Sequence, residues 1–279
     1  MEGPFLGSEA VTAGAVTPYE LRTRFRAIYR DVYVARGFEV TALVRVHAAW
    51  LWSQRRGVVA GHSASVLHGA RWVADDRPAE LIYDNRHAPP MIRTWSDRLE
   101  DDEATSSGSL KMTNPARTAL DLACRYPIPR AVAAIDALAR ATDLKMADVE
   151  LLAGRYKGRR GIRRARVALS LVDAGAESPR ESWLRLILIR AGLPAPQTQI
   201  PVYDYYGQLV AVLDMGWEDI KLAVEYEGDH HRTDRRQFNK DIRRAEALTE
   251  LGWISVRVTA EDTEGGVIAR VSAAWDRRV

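Results

Sequence analysis

The sequence predicts an α/β protein: an N-terminal winged helix and α/β region, then a C-terminal mixed sheet flanked by helices. Three observations carry this. Short alternating stretches of strand period interleave with longer stretches of helical period along the whole chain. The 279 residues, 47% hydrophobic and 28% charged, suffice to bury more than one core. The segment "DAGAESP" at 173–179 is a small, turn-forming break directly after the most basic window. The expected division is a winged-helix-like DNA-binding module over 1–75, an α/β connecting region with a basic helix over 76–175, and a third domain over 176–279.

Composition narrows the function classes. No apolar run approaches the ~18 residues needed to cross a bilayer, and no basic segment followed by an apolar block opens the chain. The expectation is a cytoplasmic protein without a membrane partner. The single Cys124 excludes an intramolecular disulfide and a cysteine zinc cage. Net charge is only +3, but residues 1–175 carry 26 basic against 20 acidic side chains and 176–279 carry 14 against 17. Five of the 40 basic residues are lysine, and arginine is the side chain suited to bidentate phosphate contact.

In chain order, "VTPYELRTRF" begins a helix: Thr17 as N-cap, Pro18 in the first turn and Glu20 completing a capping box. "AIYRDVYVARG" alternates and stops at Gly37, as a strand or wing does. Arg22, Arg24 and Arg26 on the helix, with Arg30 on the strand, are placed to meet DNA phosphates. Residues 41–73 read as helical. His62 and His68, six apart, do not share a helical face and are taken as structural. Residues 79–95 read as a strand pair, and Asn114 and Pro115 open a run of helices to about 153. In "RYKGRRGIRRARVAL" a helix would put Arg159, Arg163 and Arg166 on one face and Arg160 and Arg164 on the next, a ridge suited to a DNA backbone.

In the C-terminal part, Ser178, Pro179 and Glu181 open a helix that stops at Gly192 and Pro194. Glu181 is read as a capping-box residue that is also available as a further carboxylate. A hairpin around Gly207 leads into "LVAVLDMGW", then "IKLAVEYE" forms the next strand, and "DRRQFNKDIRRAEALTELG" a helix before the closing strand "WISVRVT". If the two strands pair about a turn near 219, Asp214 falls beside Glu225, with Glu227 two residues further along the same face. Converging carboxylates repel, and a hard divalent cation, Mg²⁺ or Mn²⁺, relieves that repulsion and activates water for attack on phosphate. Gly228 allows a turn that returns His230 or His231 to this patch.

Residues 177–275, through Asp214, Glu225-Tyr226-Glu227-Gly228, His231, Asp241, Arg244 and "LGWISVRVT", resemble the bacterial domains related to the very-short-patch repair endonuclease, in the PD-(D/E)XK nuclease superfamily. That resemblance implies a restriction-endonuclease-like fold and metal-dependent DNA cleavage. It matches Asp214 and Glu225 to the metal carboxylates and Glu227 to the last motif residue, and His231 to an acid or base; Asp241 and Arg244 would brace the site. Glu227 stands where the superfamily has lysine. The N-terminal half, through "RAIYRDVYV", "GHSASVLHG" and "MTNPARTALDLA", resembles the AbiEi-type antitoxins, which implies a DNA-binding winged helix; Asp31 stands where that family usually has glycine. Two functions follow as expectations: a metal-dependent DNA endonuclease in repair or defence, or a non-catalytic DNA-binding regulator of the antitoxin type with a degenerate nuclease fold.

Overall fold

The computed structural model describes residues 3–85, 87–228 and 235–279, without the side chains of 235–241. The fold is mixed α/β with three sheets. The chain divides into two compact units, Met1–Ser170 and Leu171–Val279.

The first unit opens with β1 (Phe5–Leu6), α1 (Gly7–Thr12), α2 (Pro18–Arg24), β2 (Phe25–Tyr29) and β3 (Val32–Ala35). The strands form an antiparallel sheet of order β1-β3-β2, so two helices feed a β-hairpin. Helix α3 (Ala42–Trp52), capped by Thr41, covers this sheet through the core of Leu6, Tyr29, Val32, Val46 and Ala49. The hairpin turn explains Asp31. It takes φ 61°, a left-handed conformation that aspartate tolerates better than most residues. Its carboxylate also accepts from the Ser8 backbone N–H at 2.9 Å and the Ser8 hydroxyl at 2.5 Å. A glycine there would keep the turn and lose the tie to α1.

A second, five-stranded sheet contains β4 (Val58–Val59), β5 (Ala79–Ile82), β6 (Ile92–Trp95), β7 (Ala104–Ser107) and β8 (Leu110–Thr113), in the order β6-β5-β4-β8-β7, with α4 (Gly61–Leu67) between β4 and β5. The pair expected over 79–95 exists but runs parallel, Ala79 opposite Ile92. Helices α5 (Pro115–Arg125), α6 (Ile128–Ala141), α7 (Met146–Arg155) and α8 (Ile162–Leu169) complete the unit. Asn114 caps α5 by accepting from the Arg117 N–H at 2.8 Å. His62 is buried, edge-on to Tyr126, and burial followed by the nearby Arg77 and Arg93 pulls it down to about 3, so it stays neutral. His68 Nε2 meets the Thr113 carbonyl at 2.8 Å.

The second unit runs α9 (Pro179–Arg190), β9 (Gln197–Tyr203), β10 (Leu209–Trp217), β11 (Leu222–Glu227), α10 (Arg235–Glu250), β12 (Ile254–Thr259) and α11 (Glu264–Trp275). The sheet order is β12-β11-β10-β9; β9, β10 and β11 are antiparallel, and β12 joins parallel to β11 through the α10 crossover. Helices cover both faces. One core joins Leu184, Ile187 and Leu188 of α9 to Val224, Val256 and Val271, and the other joins Ala223 and Leu213 to Leu248 and Trp253. Leu222, Ala223 and Val224 are therefore all fully buried, as expected of a central strand flanked on both faces. No helix among the described residues is long and apolar enough to cross a membrane.

Candidate functional site

The N-terminal unit carries the candidate nucleic-acid face. The capping box forms as read: the Glu20 N–H donates to Thr17 Oγ1 at 3.2 Å and the Thr17 N–H to Glu20 Oε2 at 3.0 Å. This fixes the start of α2. Its end comes earlier than expected, because Phe25 is already extended and pairs with Ala35. Arg22 and Arg24 therefore lie on the helix and Arg26 on β2, and all three are exposed. Arg24 reaches Glu20 at 3.3 Å, and Arg26 donates to the Phe38 carbonyl at 3.0 Å. In such exposed positions these contacts are weak enough to exchange for phosphate.

The expected basic ridge is different in the structure. Gly161, at φ 88°, interrupts the segment, and α8 starts only at Ile162. A Cβ at Gly161 would sit 2.2 Å from the Cys124 carbonyl oxygen, so no other residue fits without a shift. Arg159 consequently falls before the helix and enters the interior, 2.7 Å from Asp97 and 2.5 Å from Asp121. Arg164 donates to the Cys124 carbonyl at 2.5 Å. Arg160, Arg163 and Arg166 are exposed, as are Lys157 and, despite its bond, Arg164.

Arg159 joins a network that the sequence did not reveal. Arg117 is fully buried; its Nε donates to Asp121 at 3.0 Å and its Nη1 to Glu103 and to the Arg98 carbonyl at 3.0 Å. The Tyr156 hydroxyl donates to Glu103 at 2.8 Å, and Arg125 meets Asp97 at 2.5 Å. Three arginines thus face three acids, which is the condition under which buried charge is tolerated. Burial and then the bond to Glu103 raise the Tyr156 hydroxyl to about 12. The signal was the i,i+4 pair Arg117 and Asp121; the other partners lie too far away in sequence to be read.

The second unit carries the carboxylate site. The register Met215 opposite Val224 sets Asp214 beside Glu225, as the turn near 219 implied. Asp214 Oδ2 accepts from the Tyr226 N–H at 2.8 Å. Burial pushes the Asp214 carboxyl up to about 6; the Tyr226 N–H opposes this, the Glu181 and Glu225 carboxylates add to it, and Arg244 opposes it. The third nearby carboxylate is thus Glu181, which also takes the Glu177 N–H at 2.8 Å and is 8% exposed. Its backbone N–H donates to Ser178 Oγ at 3.2 Å, which caps the helix, but its carboxylate takes the Glu177 N–H and not that of Ser178, so the expected capping box does not close. Glu227 corrects the expectation: it is outside the cluster, paired with Arg257 of the adjacent strand at 3.0 Å, since the parallel register sets Glu225 opposite Arg257.

Glu225 has both oxygens engaged, one by Arg244 and the other by the Ser255 hydroxyl at 2.6 Å. Arg244 also donates to the Val212 carbonyl at 3.0 Å. As it stands the cluster is an acid pair braced by Arg244, Ser255 and the Tyr226 N–H. Among the described residues no three His, Cys, Asp or Glu side chains form a group that could hold a metal. His231, and the side chain of Asp241 on α10, lie outside the described residues. Ser255 was missed because a serine in an apolar strand carries no signal of its own.

The described residues define a mixed α/β protein whose N-terminal part sets two helices before a β-hairpin. Residues 85–171 match the AbiEi antitoxin C-terminal domain. Two relatives are uncharacterized proteins of Mycobacterium tuberculosis, one from each of two strains, both 36% identical over 168 residues, or 59% of this chain. The chain spans 62% of the length of these curated relatives. No solved structure matches. The nuclease resemblance of the C-terminal residues finds no support in these comparisons.

Proposed function

We propose that the chain is a DNA-binding regulator of the antitoxin type, acting in the cytoplasm. One observation carries the reading. A capped helix and its adjoining hairpin expose Arg22, Arg24 and Arg26, and further along the same unit residues 85–171 match the AbiEi antitoxin C-terminal domain. The excess of basic over acidic residues before 175 supports it. Phosphate contacts release counterions, each adding about 0.9 to the slope of log affinity against log salt. Duplex DNA titrated by fluorescence anisotropy in EDTA should therefore be bound with strong salt dependence. Changing Arg22, Arg24 and Arg26 together to alanine should lower that slope by roughly 2 to 3. Wild-type chain with no duplex affinity at low salt, or a variant with unaltered slope, would refute the reading.

A second reading, a Mg²⁺- or Mn²⁺-dependent endonuclease, is favoured by Asp214 and Glu225 side by side in a sheet of mixed topology, with the Glu181 carboxylate of α9 acting on Asp214. It requires Arg244 and Ser255 to release Glu225. Supercoiled plasmid incubated with either metal should then be nicked by wild type and left intact by Asp214→Asn. Plasmid left intact by wild type leaves the regulator as the function.

A further inference from the structure

We propose that β7, at one edge of the five-stranded sheet, pairs with β7 of a second copy of the chain and makes the protein a two-fold dimer. Among the described residues five other strands end the three sheets, and each is blunted in one of the ways that keep edges from pairing. β1 has only two residues. β2 carries Arg26 and a register shift between Ala27 and Tyr29, and β6 carries the exposed Arg93. β9 contains Pro201 and takes φ 51° at Gln199, and β12 carries Arg257. β7 has no charge, proline, bulge or positive φ, and its Thr105, Ser106 and Ser107 are exposed. Among the described residues nothing hydrogen-bonds to its outer side. A straight, uncharged, exposed edge is a template for another strand.

The turn beyond β7 decides which main-chain groups are free. Ser107 and Leu110 flank the two-residue turn Gly108-Ser109 and stand opposite each other, so they exchange hydrogen bonds across the hairpin. Alternation along an antiparallel ladder then directs the N–H and C=O of Thr105 toward β8 as well, and those of Ala104 and Ser106 outward. Laid antiparallel on its own copy with Thr105 at the two-fold axis, β7 sets Ala104 opposite Ser106 of the second copy and Ser106 opposite its Ala104. Every outward N–H then meets an outward C=O. Thr105 meets Thr105, a favourable cross-strand pair.

The composition of the strand selects a second copy as the occupant. On a two-fold axis a charge at the centre of the strand would face itself, and like charges directly opposite are destabilising. Small hydroxyl side chains carry no such penalty, and the free groups of β7 match those of its own copy in number and spacing. Four residues bury less than the roughly 1,200 Å² of a lasting complex, so the dimer forms reversibly with concentration. A two-fold pair carries two copies of the duplex face and suits a DNA site of two inverted halves. The pairing itself needs no DNA, so it stands or falls apart from the regulator reading.

Sedimentation of the full-length chain without DNA should show monomer and dimer exchanging with concentration. Ser106→Pro removes an outward N–H and leaves the bonds to β8, so it should lose the dimer and keep the fold. Thr105→Cys gives a second, positive signal. The Cα atoms of a pair that exchanges no hydrogen bonds lie about 4.5 Å apart, within disulfide reach, so diamide should convert most of this variant to a covalent dimer. Ser107→Cys puts its two thiols roughly 13 Å apart along the strands and should stay uncrosslinked. The native Cys124 is buried and does not compete. A wild type that is monomeric at every concentration, a dimer that survives Ser106→Pro unchanged, or a Thr105→Cys variant that crosslinks no faster than Ser107→Cys would overturn the proposal.

Discussion

Arg117→Ala should destabilise the N-terminal unit by about 3–5 kcal/mol, because it leaves Glu103 and Asp121 buried without their cation. Arg117, Glu103 and Asp121 are each no more than 1% exposed. The guanidinium also meets the Tyr156 hydroxyl at 3.1 Å, so its loss opens the network on several sides. Lysine should not rescue it, since one ammonium cannot replace the planar fork that reaches Asp121 and Glu103 together. Urea denaturation provides the measurement: the midpoint should fall steeply at an unchanged slope. A loss below about 1 kcal/mol would show that Arg125 and Arg159 balance the acids unaided.

Asp214→Asn should stabilise the C-terminal unit above pH 6 and flatten its pH dependence. The folded carboxyl holds its proton up to about pH 6, whereas the unfolded group releases it near 3.8. Between these values the folded chain binds more protons, so stability falls as pH rises and is lowest above about 6. The difference is up to about 3 kcal/mol. Asparagine has no charge to bury and can still accept from the Tyr226 N–H. Thermal melts in EDTA from pH 4.5 to 8 should converge at the acid end and separate at the alkaline end, with the variant higher (the range brackets the two pKa values). A variant that melts lower at pH 8 would mean that Arg244 outweighs burial.

The elements that carry local signals are legible in the sequence. Thr17, Pro18 and Glu20 marked α2, Asn114 marked α5, and Gly192 ended α9, because caps act within four residues. It also placed Asp214 beside Glu225, since strand alternation and a short turn fix that pairing. What it missed depends on distance. β1 and β4 have two residues each, too short for any period, and Val59 pairs with Met112 across 53 positions. Arg159 reads as one of seven basic residues until the fold brings Asp97 and Asp121 to it. Glu227 alternates correctly onto the face of Glu225, yet Arg257 arrives from a strand whose neighbour only the crossover decides.

The most direct test of the regulator reading is selection of bound fragments from a random duplex library by the full-length chain in EDTA. A regulator prefers its site over other DNA by roughly a thousandfold or more, so successive rounds should converge on one sequence class. Changing Arg22, Arg24 and Arg26 to alanine should abolish its enrichment. A library that stays random through selection, with wild type and variant retaining the same fragments, would contradict the account.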